Sequence, residues 1–177
     1  MGMRRKPAKL DAGGLWEYAL RALAKRAHST AELKQKLALR AESPEVLTAT
    51  MAKLREYELS DDRKFSEAFA ASRLQNQGLG KLRVLRDLRS KRVSDRIASE
   101  AVTKAYAETD EAALIDAFLE RKYRGKDLPV FLREEKNLAS AYRRLRTAGF
   151  SSAGSIASLK RHSTAVQDWP EDDTEGS

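Results

Sequence analysis

The chain of 177 residues is 41% hydrophobic and 34% charged, with four prolines and nine glycines, a composition that favours a folded, helix-rich protein. It contains no cysteine, which excludes disulfides and thiolate metal sites, and no run of about 18 apolar residues, so no membrane-spanning helix is predicted. No apolar segment follows the basic residues 1–9, so we expect no secretory signal and a cytoplasmic protein.

Charge is distributed unevenly along the chain. The net charge is +8, but the ten C-terminal residues hold five acidic residues and no basic one. Residues 1–167 therefore hold 34 basic and 21 acidic residues, a net charge of +13. A body this basic favours a polyanionic partner, most often nucleic acid, and the acidic end is a candidate competitor for the same surface.

The first three predicted helices carry clear start signals. Residues 14–26 place leucines at helical spacing on one face. Ser29 and Glu32 form a capping box, in which each side chain satisfies a backbone N–H of the other residue, so a second helix begins there. Ser43 before Pro44 supplies an N-cap and a proline at the first helical position, which predicts a third helix.

Two further groups of three helices follow. In the second group, an aromatic-alanine helix ends near Gly78, and a basic helix follows in which Leu82, Leu85 and Leu88 are expected to pack inward. The third group begins near Asp110 and ends with a short helix. No stretch alternates apolar and polar residues with a period of two, so we predict an all-α fold without a sheet.

The three groups repeat one spacing, in which a leucine precedes a serine by six residues. The pairs are Leu37 and Ser43, Leu88 and Ser94, and Leu145 and Ser151. The serines lie 51 and 57 residues apart, a period typical of helical repeat proteins. We predict three tandem three-helix repeats in an elongated, curved array. The expected segments are a basic disordered N-terminus (1–13), repeats over 14–58, 59–108 and 109–162, and an acidic disordered tail (163–177).

Four stretches carry a resemblance to a known family: ALRALAKRAHSTAEL (19–33), LSDDRKFSEAFAASR (59–73), GLGKLRVLRDLRSKRV (78–93) and RRLRTAGFSSAGSI (143–156). Over residues 15–161 the chain resembles the RecX family, bacterial regulators of the RecA recombinase. The residues that match the family pattern in the second group are Asp61, Asp62, Phe65, Arg73 and Gly80. Two features depart from it: Arg92 stands where the family usually has glycine, and residues 128–135 look like extra length.

The resemblance implies a function as well as a fold. It implies three tandem three-helix repeats that bind in the groove of the RecA–DNA filament and inhibit RecA ATPase and strand exchange. Such a protein would modulate recombination, DNA repair and the SOS response. We expect it to act as a monomer, and to contact single-stranded or duplex DNA if it contacts DNA at all.

Basic residues cluster in three regions, and these are the candidate binding residues. The candidates are Arg73, Lys81, Arg83, Arg86 and Arg89, then Arg121, Lys122 and Arg124, then Arg143, Arg144 and Arg146. Cations near a helix C-terminus also stabilise the helix dipole, so part of each cluster has a purely structural explanation. Three clusters from successive regions could instead form a stripe that follows a filament groove or a phosphate backbone.

Other classes of function find less support in the sequence. No complete P-loop, nucleophile elbow or carboxylate–histidine pair is present, so we expect no catalysis, no cofactor and no metal. The phenylalanines are interpreted as core residues, whereas Tyr57, Tyr106 and Tyr123 lie near helix ends where they could stack on bases. The main alternative is a general DNA-binding protein of the helix-turn-helix kind that acts without RecA. An adaptor for another acidic protein is a third possibility.

Overall fold

The computed structural model describes residues 8–163, which form ten α-helices and no β-strand. The helices are α1 (Ala12–Lys25), α2 (Thr30–Ala38), α3 (Pro44–Glu56), α4 (Asp62–Ser72), α5 (Lys81–Ser90), α6 (Asp95–Ala105), α7 (Glu111–Lys122), α8 (Leu128–Phe131), α9 (Glu135–Ala148) and α10 (Ser152–His162). A short π-helical segment, Arg73–Gln77, continues α4. The all-α prediction is confirmed.

The three serines of the sequence repeat occupy the same structural position. The Oγ atoms of Ser43, Ser94 and Ser151 accept hydrogen bonds from the backbone N–H groups three residues later, at 3.3, 3.4 and 2.9 Å respectively. Each serine therefore caps the last helix of its group, where a side-chain acceptor satisfies an otherwise unpaired N–H. The predicted capping box is also present, with Ser29 Oγ accepting from Glu32 N at 3.1 Å.

The described chain packs as two compact units. Unit 1 contains residues 8–68 and 88–101, and unit 2 contains residues 69–87 and 102–163. The boundaries fall inside α4, α5 and α6, so the middle group of helices contributes to both units. The division into repeats at residues 58 and 108 stays a prediction.

Unit 1 is built on the packing of α1, α2 and α3. Leu15, Leu33, Leu37 and Leu54 are fully buried at its centre. Burial of each leucine side chain contributes about 1.5–3 kcal/mol, which is what fixes these three short helices against one another. The chain entering the unit is also held, because Leu10 N donates to the carbonyl of Arg40 at 2.7 Å.

Unit 2 has its own core, formed mainly by α7, α9 and α10. The largest fully buried side chains there are Phe150, Ile115, Leu119, Leu132, Leu138, Leu145 and Leu159. The Phe150 ring and the half-buried Phe118 ring pack edge to face at a centroid distance of 5.5 Å. The extra length predicted at 128–135 is the short helix α8 and the turn after it.

The first helix starts earlier than predicted, and most of the two predicted terminal segments lies outside the described residues. Helix α1 begins at Ala12, two residues before the expected start of the first repeat. Of the predicted basic N-terminus (1–13), residues 1–7 lie outside the described part of the chain. Of the predicted acidic tail (163–177), residues 164–177 lie outside it.

Arg92 has a left-handed backbone conformation, with φ of +58°. Residues other than glycine pay a steric cost in this region, which fits the glycine that the family resemblance implies at this position. The Arg92 guanidinium donates a hydrogen bond of 3.0 Å to the Gln35 side-chain oxygen when that amide is flipped. Both side chains are exposed, so this contact offsets little of the steric cost at Arg92.

We therefore expect Arg92→Gly to raise the free energy of unfolding by about 0.5–1 kcal/mol, because it relieves the strain at positive φ. Urea unfolding of the full chain measures the effect. Arg86→Gly, inside α5, is the matched control and should lower stability by about 1 kcal/mol. A loss of stability in both variants would show that Arg92 is not strained.

Candidate polyanion-binding site

The basic helix α5 packs partly through the predicted face, because Leu88 is buried as expected, but one residue predicted to pack inward is exposed. Val84 and Leu88 are fully buried, whereas Leu85 is half-buried and Leu82 is 41% exposed. Residues 84 and 88 lie one turn apart and so share a face, while Leu82 lies about 200° from Val84 around the helix axis. The predicted inward packing of Leu82 is wrong.

Backbone contact fixes the start of α5 within unit 2. Gly80 N donates to Ala148 O at 2.9 Å, and Leu82 N donates to Gly149 O at 3.1 Å, so the first turn of α5 meets the last turn of α9. A Cβ atom on Gly149 would lie 2.1 Å from Arg83 N, and one on Gly80 would lie 2.2 Å from Gly149 O. Only glycine allows this approach at both positions.

This contact helps to form a depression of about 450 Å³ with a basic rim and an apolar floor. Its lining residues are Leu79, Arg83, Phe118, Lys122, Ser140, Arg143, Arg144, Thr147 and Ala148. Arg83 belongs to the first predicted cluster, Lys122 to the second, and Arg143 and Arg144 to the third. The structure therefore brings four candidates from all three clusters together in unit 2.

The cations of the depression differ in how far they are neutralised. Arg83 Nε donates to Asp87 Oδ1 at 2.9 Å, and Arg83 Nη1 lies 3.4 Å from the Thr147 carbonyl. Within residues 8–163, no hydrogen bond or ion pair engages the side chains of Lys122, Arg143 or Arg144, and all three are exposed. These three side chains give the depression an uncompensated positive charge, which attracts anionic partners.

Three other candidates are bonded inside unit 2. Arg121 Nη2 donates to Gln77 O at 2.6 Å, and Arg146 Nη1 donates to Phe150 O at 2.6 Å. Arg73 Nη1 donates to Gln77 Oε1 at 2.7 Å. These guanidinium groups satisfy acceptors at the end of the π-helical segment and at the turn before α10, so they support the local fold.

The remaining candidates lie outside the lining of the depression. Arg89 forms an exposed ion pair with Asp95 at 2.7 Å in unit 1. Lys81 and Arg86 are exposed on α5, and Arg124 lines a separate cavity of about 550 Å³ beside the end of α7. The depression therefore contains only some of the predicted residues, and its lining is not a stripe made of all three clusters.

Several lining residues were not predicted from the sequence. Phe118 is half-buried and forms part of the floor, although its expected role was core packing. Ser140 and Thr147 were also missed. They lie three or four residues from the predicted Arg143 and Arg144 and so share their face of α9, a spacing that could have identified them.

The tyrosines proposed for base stacking are not equally available. Tyr106 is only 3% exposed, and its hydroxyl donates to Leu79 O at 2.5 Å. Burial raises the pKa of the Tyr106 phenol to about 12 and also raises the pKa of Tyr123 above its usual value. Tyr57 is 60% exposed but packs against Trp16. A stacking role for Tyr106 is therefore ruled out in this conformation.

Two properties of the described chain bear on other functional classes. No helix among residues 8–163 combines the length and apolar character needed to cross a bilayer. The same residues contain no group of three or more histidine, aspartate or glutamate side chains arranged to hold a metal ion.

Small three-helix domains in tandem define an all-α repeat protein. The chain matches the family descriptions "RecX, first three-helix domain" over residues 16–54 and "RecX, second three-helix domain" over residues 61–102. The chain belongs to the RecX family of regulatory proteins.

Regulatory proteins from several bacteria align over much of the chain. The regulatory protein RecX of Halorhodospira halophila is 37% identical over 116 residues, which cover 66% of this chain and 70% of that protein. The RecX protein of Deinococcus radiodurans is 30% identical over 147 residues, covering 83% and 67% respectively. That of Chlorobaculum tepidum is 34% identical over 108 residues, covering 61% and 65%.

Solved structures support the fold. The crystal structure of RecX from Lactobacillus salivarius superposes with a TM-score of 0.65 at 17% identity, covering 86% of this chain and 96% of that one. A second crystal structure of a regulatory protein RecX gives a TM-score of 0.67 at 20% identity, covering 85% and 73%.

Proposed function

We propose that this protein regulates the RecA recombinase by binding in the groove of the RecA–DNA filament through the basic depression of unit 2. Binding lowers RecA ATPase and strand exchange, and so modulates recombination, DNA repair and the SOS response. The observation that carries the proposal is the meeting of Lys122, Arg143 and Arg144 beside Arg83, with only Arg83 bonded to an acidic side chain among the described residues.

The composition of the depression favours a protein surface as the main contact. Its floor contains Leu79 and Phe118, and its rim contains exposed cations. A protein partner can supply an acidic side chain for the rim and an apolar side chain for the floor, and interfaces commonly combine the two. On this proposal the protein acts as a cytoplasmic monomer without catalytic activity, cofactor or metal.

RecA ATPase on single-stranded DNA tests the function directly. As the full chain is titrated in, the rate of ATP hydrolysis should fall in a saturable manner, and strand exchange should fall in the same concentration range. An equal amount of heat-denatured protein is the control. Unchanged ATPase and strand exchange at saturating amounts would refute the proposal.

The alternative is a general DNA-binding protein that acts without RecA, and duplex-binding assays separate the two. A filament regulator should bind naked duplexes of different sequence with similar affinity. A preference for one duplex by three or more decades would favour the alternative, because that degree of discrimination requires direct reading of base edges.

A further inference from the structure

The acidic C-terminal sequence complements the surface of the depression in unit 2. Residues 164–177 (the acidic segment) lie outside the described part of the chain. Their sequence, TAVQDWPEDDTEGS, contains five acidic residues, no basic residue and one tryptophan, Trp169. The acids are Asp168, Glu171, Asp172, Asp173 and Glu175. The segment therefore combines one large apolar side chain with negative charge on both sides of it.

The depression has the matching features. Leu79 and Phe118, which form its floor, are only half-buried. Lys122, Arg143 and Arg144 lie at its rim, and its lining contains no acidic residue within the described part of the chain. A tryptophan ring suits such a floor, because it buries a large apolar area and its face attracts guanidinium groups. Carboxylates on either side of the ring then meet the rim cations.

A second basic cavity of unit 2, beside the end of α7, is a poorer match. Its lining includes an acidic residue, Glu120, and its Lys126 ammonium lies 4.0 Å from the centroid of the Phe131 ring. Arg121 in the same lining donates to the Gln77 carbonyl. A carboxylate in the lining repels an acidic segment, and cations that are already engaged attract it less. The depression is therefore the favoured surface in unit 2.

The described chain ends within reach of the depression. Helix α10 packs against α7 and α9, the two helices that carry most of the depression's lining. Ser163, the last described residue, donates from Oγ to the Leu132 carbonyl at 3.2 Å, which ties this end to unit 2. Fourteen extended residues span up to about 46 Å, whereas a compact domain of about 80 residues is roughly 30 Å wide. The segment is therefore long enough to cross the surface of unit 2.

We propose that the acidic segment binds the depression of its own chain, with Trp169 on the floor and carboxylates beside Lys122, Arg143 and Arg144. Attachment to the same unit gives the segment an effective concentration on the order of millimolar, so no second molecule is needed. The contact itself does not depend on RecA. Its consequence rests on the proposed function: a partner has to displace the segment before it reaches the rim cations.

Carbodiimide cross-linking of the full chain tests the contact without RecA. The reagent joins a lysine amine to a carboxylate in ion-pair contact with it, and mass spectrometry identifies the two residues. In the monomer fraction, Lys122 should be joined to an acid within residues 168–175, and the yield should fall as salt is raised. Lys34, an exposed lysine of α2, is the control and should give far fewer such links.

Two outcomes of the cross-linking would overturn the proposal. One is the absence of a link at Lys122, or an equal yield at Lys122 and Lys34. The other is a link found only in a dimer fraction, which would assign the acidic segment to the depression of a second copy.

The two tryptophans of the full chain provide an independent measurement by NMR. When Arg143 and Arg144 are both replaced with alanine, the indole N–H signal of Trp169 should move toward the value of an unfolded peptide. Trp16, which lies in α1 of unit 1, should keep its signal and so report that the fold is intact.

A matched variant removes the same charge from unit 1. Lys34→Ala combined with Arg55→Ala changes two exposed positions outside the depression and should leave both indole signals in place. A Trp169 signal that ignores the loss of the rim arginines, or responds equally to both double variants, would contradict the proposed contact.

Neutralising the acidic segment tests the regulatory consequence. Asp172→Asn combined with Asp173→Asn should lower the concentration of the full chain needed to inhibit RecA ATPase by about 3- to 10-fold, because more molecules then have an uncovered depression. Glu42→Gln combined with Glu108→Gln makes the same change in net charge at exposed positions and should leave inhibition unchanged.

The result separates this proposal from the proposed function. Unchanged or weaker inhibition by the variant with neutralised aspartates would refute the regulatory role of the segment. A parent chain that does not inhibit RecA at all would contradict the proposed function instead, and the cross-linking at Lys122 would still decide whether the segment binds the depression.

Discussion

Replacing Gly149 with alanine should lower the free energy of unfolding by about 2–5 kcal/mol. Gly149 has a φ of +92°, and its added Cβ would lie 2.1 Å from Arg83 N and 2.7 Å from Arg83 Cα. The backbone conformation alone costs an alanine about 1–2 kcal/mol, and forcing α5 away from α9 adds about 1–3 kcal/mol or more. The affected atoms are backbone atoms that carry hydrogen bonds, so they cannot simply rotate aside.

Gly125 provides the matched control for this change. It also has a positive φ, +80°, but a Cβ there would meet no atom within 4 Å. Gly125→Ala should therefore cost only the conformational part, about 1–2 kcal/mol. Urea unfolding of both variants measures the difference, and equal losses would show that the close approach of α5 and α9 is not what requires glycine at position 149.

Replacing Arg143 and Arg144 with alanine should raise the concentration needed to inhibit RecA ATPase by about 100-fold or more. Each charge-assisted contact contributes about 1.5–3 kcal/mol, and the two side chains lie side by side on the rim of the depression. Both are exposed, so stability should change by no more than about 0.5 kcal/mol for each.

Arg133→Ala combined with Lys136→Ala removes the same charge from exposed positions outside the depression and should inhibit as well as the parent. Inhibition that is equally weakened in both double variants would point to net charge rather than to the depression. The salt dependence identifies the anion: loss of DNA phosphate contacts should reduce the slope of log affinity against log salt by up to about 0.7–0.9 per contact. Loss of contacts to acidic RecA side chains should leave binding to bare DNA almost unchanged.

Local features of the fold were predictable from the sequence. One such feature is helix capping by Ser29, Ser43, Ser94 and Ser151. Each serine accepts a hydrogen bond from a backbone N–H three residues later, so the sequence pattern that predicts the cap lies within one helical turn. The absence of two-residue periodicity correctly predicted that residues 8–163 would contain no strand.

Features that depend on distant residues were not predictable in the same way. The inward face of α5 was misjudged at Leu82, because apolar spacing alone leaves several faces possible until the packing partner is known. The Arg121 guanidinium donates to the carbonyl of Gln77, which lies 44 residues earlier in the chain. No local sequence pattern around either residue predicts this contact. The three basic clusters were found, but which of their members share one depression is decided by the tertiary contacts of α5, α7 and α9.

The backbone contact between α5 and α9 also governs when this surface can exist during synthesis. The N–H groups of Gly80 and Leu82 bond to carbonyls almost seventy positions further along the chain. Because a nascent chain emerges N-terminus first, this long loop can close only after α9 has left the ribosome. Arg83 then joins Lys122, Arg143 and Arg144 near the end of translation, so incomplete chains that stop before Gly149 would lack the assembled depression.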